Sequence, residues 1–231
     1  MPQPPSNHPA TDALILGIES SCDETATAVL RGPRRVLASV VASQDHLHAK
    51  FGGVVPEIAS RAHIERITPA IEQVLNEAAV AMSDLQAIAV GHRPGLIGSL
   101  LVGVSAAKAL AWALGKPLVG VDHVQAHLHA AALDAEPITF PALGLVVSGG
   151  HTSLYEMADP LSSHLLGRTI DDAVGEAYDK VAAILDLGFP GGPAVDRLAG
   201  AGDPKSTHFP RSLLDAQSLD FSFSGLKTAV L

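Results

Sequence analysis

The sequence predicts an α/β protein of two similar lobes, on three observations. Apolar residues fill 47% of the 231 positions but aromatics only 4%. The core must therefore be assembled from Ala, Val, Leu and Ile, the composition of strands covered by Ala-rich helices. Short continuous apolar runs alternate with longer stretches whose apolar residues recur every three or four positions. The chain also opens two blocks with a strand, a polar turn and a returning strand before moving to helices, which suggests duplication at the level of fold.

Residues 1–13, rich in Pro and polar side chains and without an apolar stretch, read as a disordered tail with no targeting signal. The run 14–19 (LILGIE) predicts a strand buried on both faces, followed by a polar turn from Ser20 to Glu24. Strands are expected over 25–30 and 36–42. Between them Arg31, Arg34 and Arg35 read as a solvated loop. From Pro56 to Ala79 the residues Ile58, Ile64, Ile67, Ile71, Val74, Leu75 and Ala78 predict an amphipathic helix, kinked or restarted at Pro69. A strand over 85–90, a Gly/Pro loop, a helix over 99–114 and a strand over 117–121 follow. The apolar stretch 95–114 carries Lys108 and several Gly and Ser residues, so it reads as a buried loop and helix and not as a membrane span. The second block has strands at 143–147, 152–157 and 165–169, a helix at 171–185 and another from about Pro193. This organisation gives a first lobe over 14–138 and a second over 139–231.

The next helix carries His123 and His127. Residues four apart share a helical face, so two imidazoles there suit one metal ion, whereas His129 points to the opposite side. Three glycine-containing loops follow predicted strands or precede predicted helices: 93–99 (RPGLIGS), where packing is the expected role, 147–151 (VSGGH) and 189–193 (FPGGP). Paired glycines let a backbone approach an anion with its N–H groups. Pro193 fits a first helical position, which places Asp196 in the first turn, beside a helix N-terminus suited to phosphate or ribose. Two acidic clusters accompany the loops. Asp23 and Glu24 lie in the first turn and are the candidate catalytic carboxylates. In 171–180 (DDAVGEAYDK), Asp172, Glu176 and Lys180 share a face as an ion-pair ladder, and Asp179 lies off it toward a ligand. The single Cys22 excludes an internal disulfide and fits a reducing cytoplasm. A net charge of −9 argues against autonomous nucleic-acid binding.

These residues, in this order, resemble the TsaD (Gcp/YgjD, Kae/Qri) family. The resemblance rests on 17–25 (GIESSCDET), 52–61 (GGVVPEIASR), His123-x-x-x-His127, 147–151, 171–180, 189–193 and 220–228 (DFSFSGLKT). It implies two ribonuclease-H-like lobes of the actin/sugar-kinase/Hsp70 (ASKHA) type, the second incomplete in this chain. It implies transfer of the threonylcarbamoyl group of threonylcarbamoyl-AMP to N6 of adenosine at position 37 of tRNAs reading codons that begin with adenine. It also implies one divalent metal per subunit, Fe2+ with Zn2+ as the alternative, on His123, His127 and a later Asp. The adenylate is expected on Val146, Val147, Ser148, Gly149, Gly150, Asp179, Gly192, Asp196 and a later Asn. The implied partners are tRNA, a TsaB-like paralogue and a TsaE-like ATPase, in the cytoplasm and without a membrane. The later Asp and Asn are absent from the 231 residues, so the chain is expected to be C-terminally truncated and its own metal binding weak.

The chain departs from the family pattern where Thr-x-Gly-Pro-Gly-Leu reads Gly91-His92-Arg93-Pro94-Gly95-Leu96, and where Asp122 and Gln125 replace Asn or His and Glu beside the histidines. Two other functions compete. A metallopeptidase of the His-Glu-x-x-His type needs a glutamate where Val124 stands. A non-catalytic scaffold paralogue would lack the His pair.

Overall fold

A computed structural model describes residues 12–133, 135–211, 215 and 217–231. Residues 1–11 of the expected tail lie outside the described residues. The chain divides into two compact units. The first runs to Gln44 and resumes over Val54–Glu136; the second holds Asp45–Gly53 and Pro137–Leu231.

In the first unit, strands β1 (Leu14–Glu19), β2 (Glu24–Arg31), β3 (Arg35–Ser43), β4 (Ala87–Arg93) and β5 (Leu118–Asp122) form a sheet in the order β3-β2-β1-β4-β5. β1 pairs antiparallel with β2 and parallel with β4, and β4 pairs parallel with β5. This is a ribonuclease-H-like sheet, and the chain is α/β as its sequence predicts. The antiparallel β1–β2–β3 meander needs only short turns, whereas the parallel pairs need the crossover helices α2 (Pro56–Ala78) and α3 (Ile97–Leu114). A short helix α4 (His123–Ala130) follows β5.

Both crossover helices pack on the sheet and on each other. The core between them is Leu16, Ile18, Val29, Val40, Ile67, Ile71, Val74, Leu85, Ile88, Val90 and neighbouring alanines, without one aromatic residue. Two expectations need correction. β1 is not fully buried on both faces: Leu16 and Ile18 are buried, but their alternating neighbours remain half-buried. Strand alternation puts only every second residue toward the helices. In α2 the helix continues through Pro69 without a restart, and the buried face of its first half is Ala59, Ala62 and His63. Ile64 is 64% exposed. The helix turns a polar residue inward there because strand β2 offers it a hydrogen-bonding partner.

Helix α3 is long and apolar enough to cross a membrane by length and composition. Its inner side nevertheless packs through Ser99, Leu100, Gly103, Ala107 and Ala111, while Ile97, Leu101 and Trp112 are exposed, so the helix is less buried than the sequence suggests.

The second unit repeats the opening strands. β6 (Ala142–Val147), β7 (Thr152–Asp159) and β8 (Ser162–Arg168) form an antiparallel sheet in sequence order, followed by α5 (Val174–Ile184) and α6 (Gly191–Ala199). Among the described residues it has no counterpart of the parallel strands β4 and β5. Helix α1 (Asp45–His48) also belongs to this unit. Helix α5 starts three residues later than expected, so Asp171 and Asp172 precede it.

Asp171 instead organises the segment before α7 (Ser224–Val230). It accepts hydrogen bonds from the Ser222 hydroxyl (2.5 Å), the Phe223 N–H (2.8 Å) and the Ser224 hydroxyl (2.8 Å). Backbone bonds from Phe221 to Arg168 and from Ile170 to Phe221 lay the same segment along the end of β8. Desolvation works to raise the Asp171 pKa, but these donors outweigh it and hold the carboxyl far below the usual range. A depressed carboxyl stabilises the fold fully above its unfolded value of 3.8 and loses that contribution as pH falls below it. Hydrogen exchange should show 220–230 losing protection first on acidification below that value, and Asp171→Ala should show the same loss at neutral pH.

Candidate metal centre and glycine loops

In the first unit, β5 ends at Asp122, whose Oδ1 accepts from the N–H groups of Val124 (3.0 Å) and Gln125 (3.2 Å). That N-cap starts α4 at His123 and satisfies two donors the helix would otherwise leave unpaired. One turn later comes His127, and the two Nε2 atoms stand 3.1 Å apart with the rings edge to face. Two nitrogens at that spacing both reach one ion with bonds of about 2.1 Å, so the imidazole pair fits two positions of a metal centre. Among the described residues no cluster of three or more His, Cys, Asp or Glu completes it.

Glu19, the charged end of β1, reaches His123. Its Oε2 lies 3.1 Å from Nδ1, and its other oxygen accepts from the Ser21 N–H at 2.5 Å. The bond to Glu19 raises the His123 pKa against the opposing effect of burial. Burial works to raise the Glu19 pKa, but His123 and Ser21 outweigh it, and the carboxyl falls below its ordinary value. Arg93 meets Asp122 as an ion pair at 3.4 Å, so two positions that depart from the family pattern touch each other beside the histidines.

The turn after β1 is held from two sides. Leu96 N–H donates to Ser21 O at 2.8 Å, and a Cβ at Gly95 would stand 2.6 Å from that same oxygen. Packing is thus the role of Gly95, as expected. From α2, buried His63 donates through Nε2 to Cys22 O (3.0 Å) and accepts at Nδ1 from the Thr25 hydroxyl (2.7 Å). Asp23 is half-buried in this turn. Glu24, expected in the turn, is the exposed first residue of β2, paired in register with Ser43. The strand begins one residue early because Glu24 continues the β2–β3 ladder. Cys22 keeps surface exposure, yet desolvation and the Asp23 carboxylate push its thiol up to about 12. With its pKa raised that far, the thiolate is scarcer but more nucleophilic, so alkylation at neutral pH should run roughly 30–60-fold slower than for a free thiol. Mass spectrometry after iodoacetamide treatment reads this directly; labelling at the free-thiol rate would contradict it.

In the second unit, β6 delivers the 147–151 loop. Val146 is buried and paired in register with Ser153 of β7, while Val147 is exposed. Ser148 closes the turn: its N–H donates to His151 O, its Oγ accepts from His151 N–H, and its carbonyl accepts from Gly175 N–H. A Cβ at Gly149 or Gly150 would meet nothing within 4 Å, so the space over these two glycines is open. Gly175 is the reverse: its Cβ would stand 2.6 Å from Gly149 Cα.

The second glycine pair divides the same way. Gly191 is packed against Asp179 and Ala182, and Gly192 is open. Asp179 accepts from Gly191 N–H at 2.7 Å, which ties α5 to the start of α6. Because α6 begins at Gly191, Pro193 is its third residue and Asp196 lies in its second turn, exposed, and not in the first turn as expected. The glycines extend the helix backward once Asp179 accepts from its first N–H. Lys180 pairs with Asp172 (2.6 Å) and Glu176 (3.0 Å), as the sequence ladder suggests. Sequence reasoning passes over Glu19, His63, Gly91 and Gly175 as site residues. The available signal was a glutamate terminating an apolar strand and a histidine on the inner face of an amphipathic helix.

The chain is thus an α/β protein with one ribonuclease-H-like unit that carries a histidine pair at the end of its parallel strands and a second unit that carries open glycine loops. The family model described as tRNA N6-adenosine threonylcarbamoyltransferase (TsaD) matches residues 35–231. The chain belongs to this family. A relative of that name from Trichlorobacter lovleyi is 60% identical over 218 residues, covering 94% of this chain and 64% of its own length. Another from Symbiobacterium thermophilum is 58% identical over 221 residues, covering 96% and 64%. The chain thus spans about 64% of the length of these relatives. Among solved structures, YeaZ from Pseudomonas aeruginosa matches with a TM-score of 0.43 and 19% identity, over 66% of this chain and 65% of its own. A ROK hexokinase from Thermus thermophilus matches at 0.44 and 20% identity, over 83% and 70%.

Proposed function

We propose that this chain carries part of an enzyme that transfers the threonylcarbamoyl group of threonylcarbamoyl-AMP to N6 of adenosine 37 in tRNA. The 60% identity over 94% of the chain to a tRNA N6-adenosine threonylcarbamoyltransferase carries the reading. His123 and His127 would hold one divalent metal, Fe2+ or Zn2+, which when bound would supply Lewis-acid chemistry. The backbone of 146–150 and the open Gly192 cradle the adenylate phosphate, and Asp179 and Asp196 orient its polar groups. Asp23 and Glu24 act as proton-handling or orienting carboxylates at the first turn. The reaction breaks the mixed-anhydride bond to AMP and joins the carbamoyl carbon to N6, whose proton leaves to a base. The acidic chain leans on a TsaB-like paralogue and a TsaE-like ATPase to present tRNA, in the cytoplasm and away from membranes.

The test is transfer of labelled threonine into unmodified tRNA by this chain, with the adenylate and both partners supplied and a full-length relative as positive control. Transfer by this chain that disappears with His123→Ala or His127→Ala is expected. Transfer by the relative and none by this chain would remove the catalytic reading.

A further inference from the structure

We infer that Glu19 is a positioning residue that fixes His123 in the Nδ1–H tautomer and so presents Nε2 toward His127. The Glu19 carboxylate is acceptor-only, and it stands 3.1 Å from Nδ1. A lone pair on Nδ1 would face that negative oxygen, so the proton belongs on Nδ1. The Ser21 hydroxyl is also near Nδ1, at 3.3 Å, but as a neutral and longer contact it is the weaker partner. With the proton on Nδ1, the lone pair lies on Nε2, the atom 3.1 Å from His127 Nε2.

The carboxylate is itself placed by its surroundings. It ends β1, where its Oε1 accepts from the Ser21 N–H, and its side chain is 30% exposed. Gly91 of the neighbouring strand β4 supplies the room: a Cβ built there would collide with one Glu19 carboxylate oxygen and crowd the other. The missing side chain at Gly91 leaves the space that the Glu19 carboxylate occupies, so Glu19, Gly91 and His123 form one unit across β1, β4 and α4. A carboxylate behind a ligating imidazole fixes ring orientation and raises ligand basicity, and its loss typically lowers metal affinity about 10–100-fold.

The inference rests on the metal reading only for that last consequence. Long-range proton–nitrogen correlation spectra of the metal-free chain, recorded near pH 9 so that the imidazoles are neutral, read the tautomer directly. Wild type should show His123 as Nδ1–H. Glu19→Ala should populate Nε2–H, and Gly91→Ala should do the same with Glu19 still present. Glu19→Gln, whose amide oxygen accepts from Nδ1–H, should retain the wild-type tautomer, and Ser21→Ala should leave it unchanged. His123 remaining Nδ1–H in both Glu19→Ala and Gly91→Ala, or appearing as Nε2–H in wild type, would overturn the inference. A Zn2+ titration of the same samples should show affinity falling about 10–100-fold in Glu19→Ala and less in Glu19→Gln. No Zn2+ binding by wild type would sink the metal reading alone, and the tautomer spectra would still decide the role of Glu19.

Discussion

Gly175→Val is expected to unseat the loop 148–150 and destabilise the second unit by about 1–3 kcal/mol. Two effects oppose each other at this position. A glycine replaced inside a helix gains up to about 1 kcal/mol of helix propensity. Against that, the new Cβ would stand 2.6 Å from Gly149 Cα and 2.7 Å from Ser148 O. Both obstacles are backbone atoms, and that backbone is held by the Ser148–His151 turn bonds. No flexible side chain is available to yield, so the collision wins. The hydrogen bond from Gly175 N–H to Ser148 O (3.2 Å) should break with it. Urea denaturation gives the stability loss, and hydrogen exchange over 145–151 locates it. Gly150→Ala is the control: nothing lies within 4 Å of its Cβ, so stability should hold while any adenylate affinity falls. Unchanged stability in Gly175→Val would show that the loop can move aside.

Replacing His63 with leucine is expected to cost the first unit about 2–4 kcal/mol. His63 is fully buried, as is Thr25. The carbonyl of Cys22 can only accept, so Nε2 carries the proton and Nδ1 accepts from the Thr25 hydroxyl. Leucine fills much of the volume but strands a buried hydroxyl and loosens the turn carrying Asp23. The same histidine sets a pH dependence. Burial lowers its pKa below 6.5, with partial compensation by the Cys22 carbonyl. The unfolded chain therefore binds a proton that the folded chain resists, so stability falls as pH drops below 6.5 toward the folded value. Thermal melts from pH 8 down to pH 5 should show that decline in wild type and a flatter profile in His63→Leu. An identical slope in both proteins would assign the acid sensitivity to other groups.

Much of the fold is legible because its signals are local. The run LILGIE, the Pro-started helix at 56 and the strand–turn–strand opening at 142 each encode their period within a few residues. The errors fall where a distant partner decides. Ile64 looks like a core residue by spacing, but the inward side of α2 at that level belongs to His63, since Thr25 on β2 waits there. Helix α6 starts at Gly191 because Asp179, twelve residues earlier, accepts from its first N–H. Asp171 reads as part of a helix and instead organises a segment some fifty residues further on.

The sequence by itself determined the α/β class, the histidine pair one turn apart, the glycine loops and membership of the threonylcarbamoyltransferase family. All of these are properties of residue type and spacing along the chain. Only the tertiary structure decided which glycines leave room for a ligand and which are packed, and which side chain stands behind His123. Gly149 and Gly175 are identical in the sequence, yet one Cβ would meet open space and the other a neighbouring backbone. Glu19 and His123 are separated by 104 positions and joined at 3.1 Å. Their contact is set by the parallel register of β1, β4 and β5, and sheet register between distant strands comes from packing over the whole lobe, not from any local stretch of sequence.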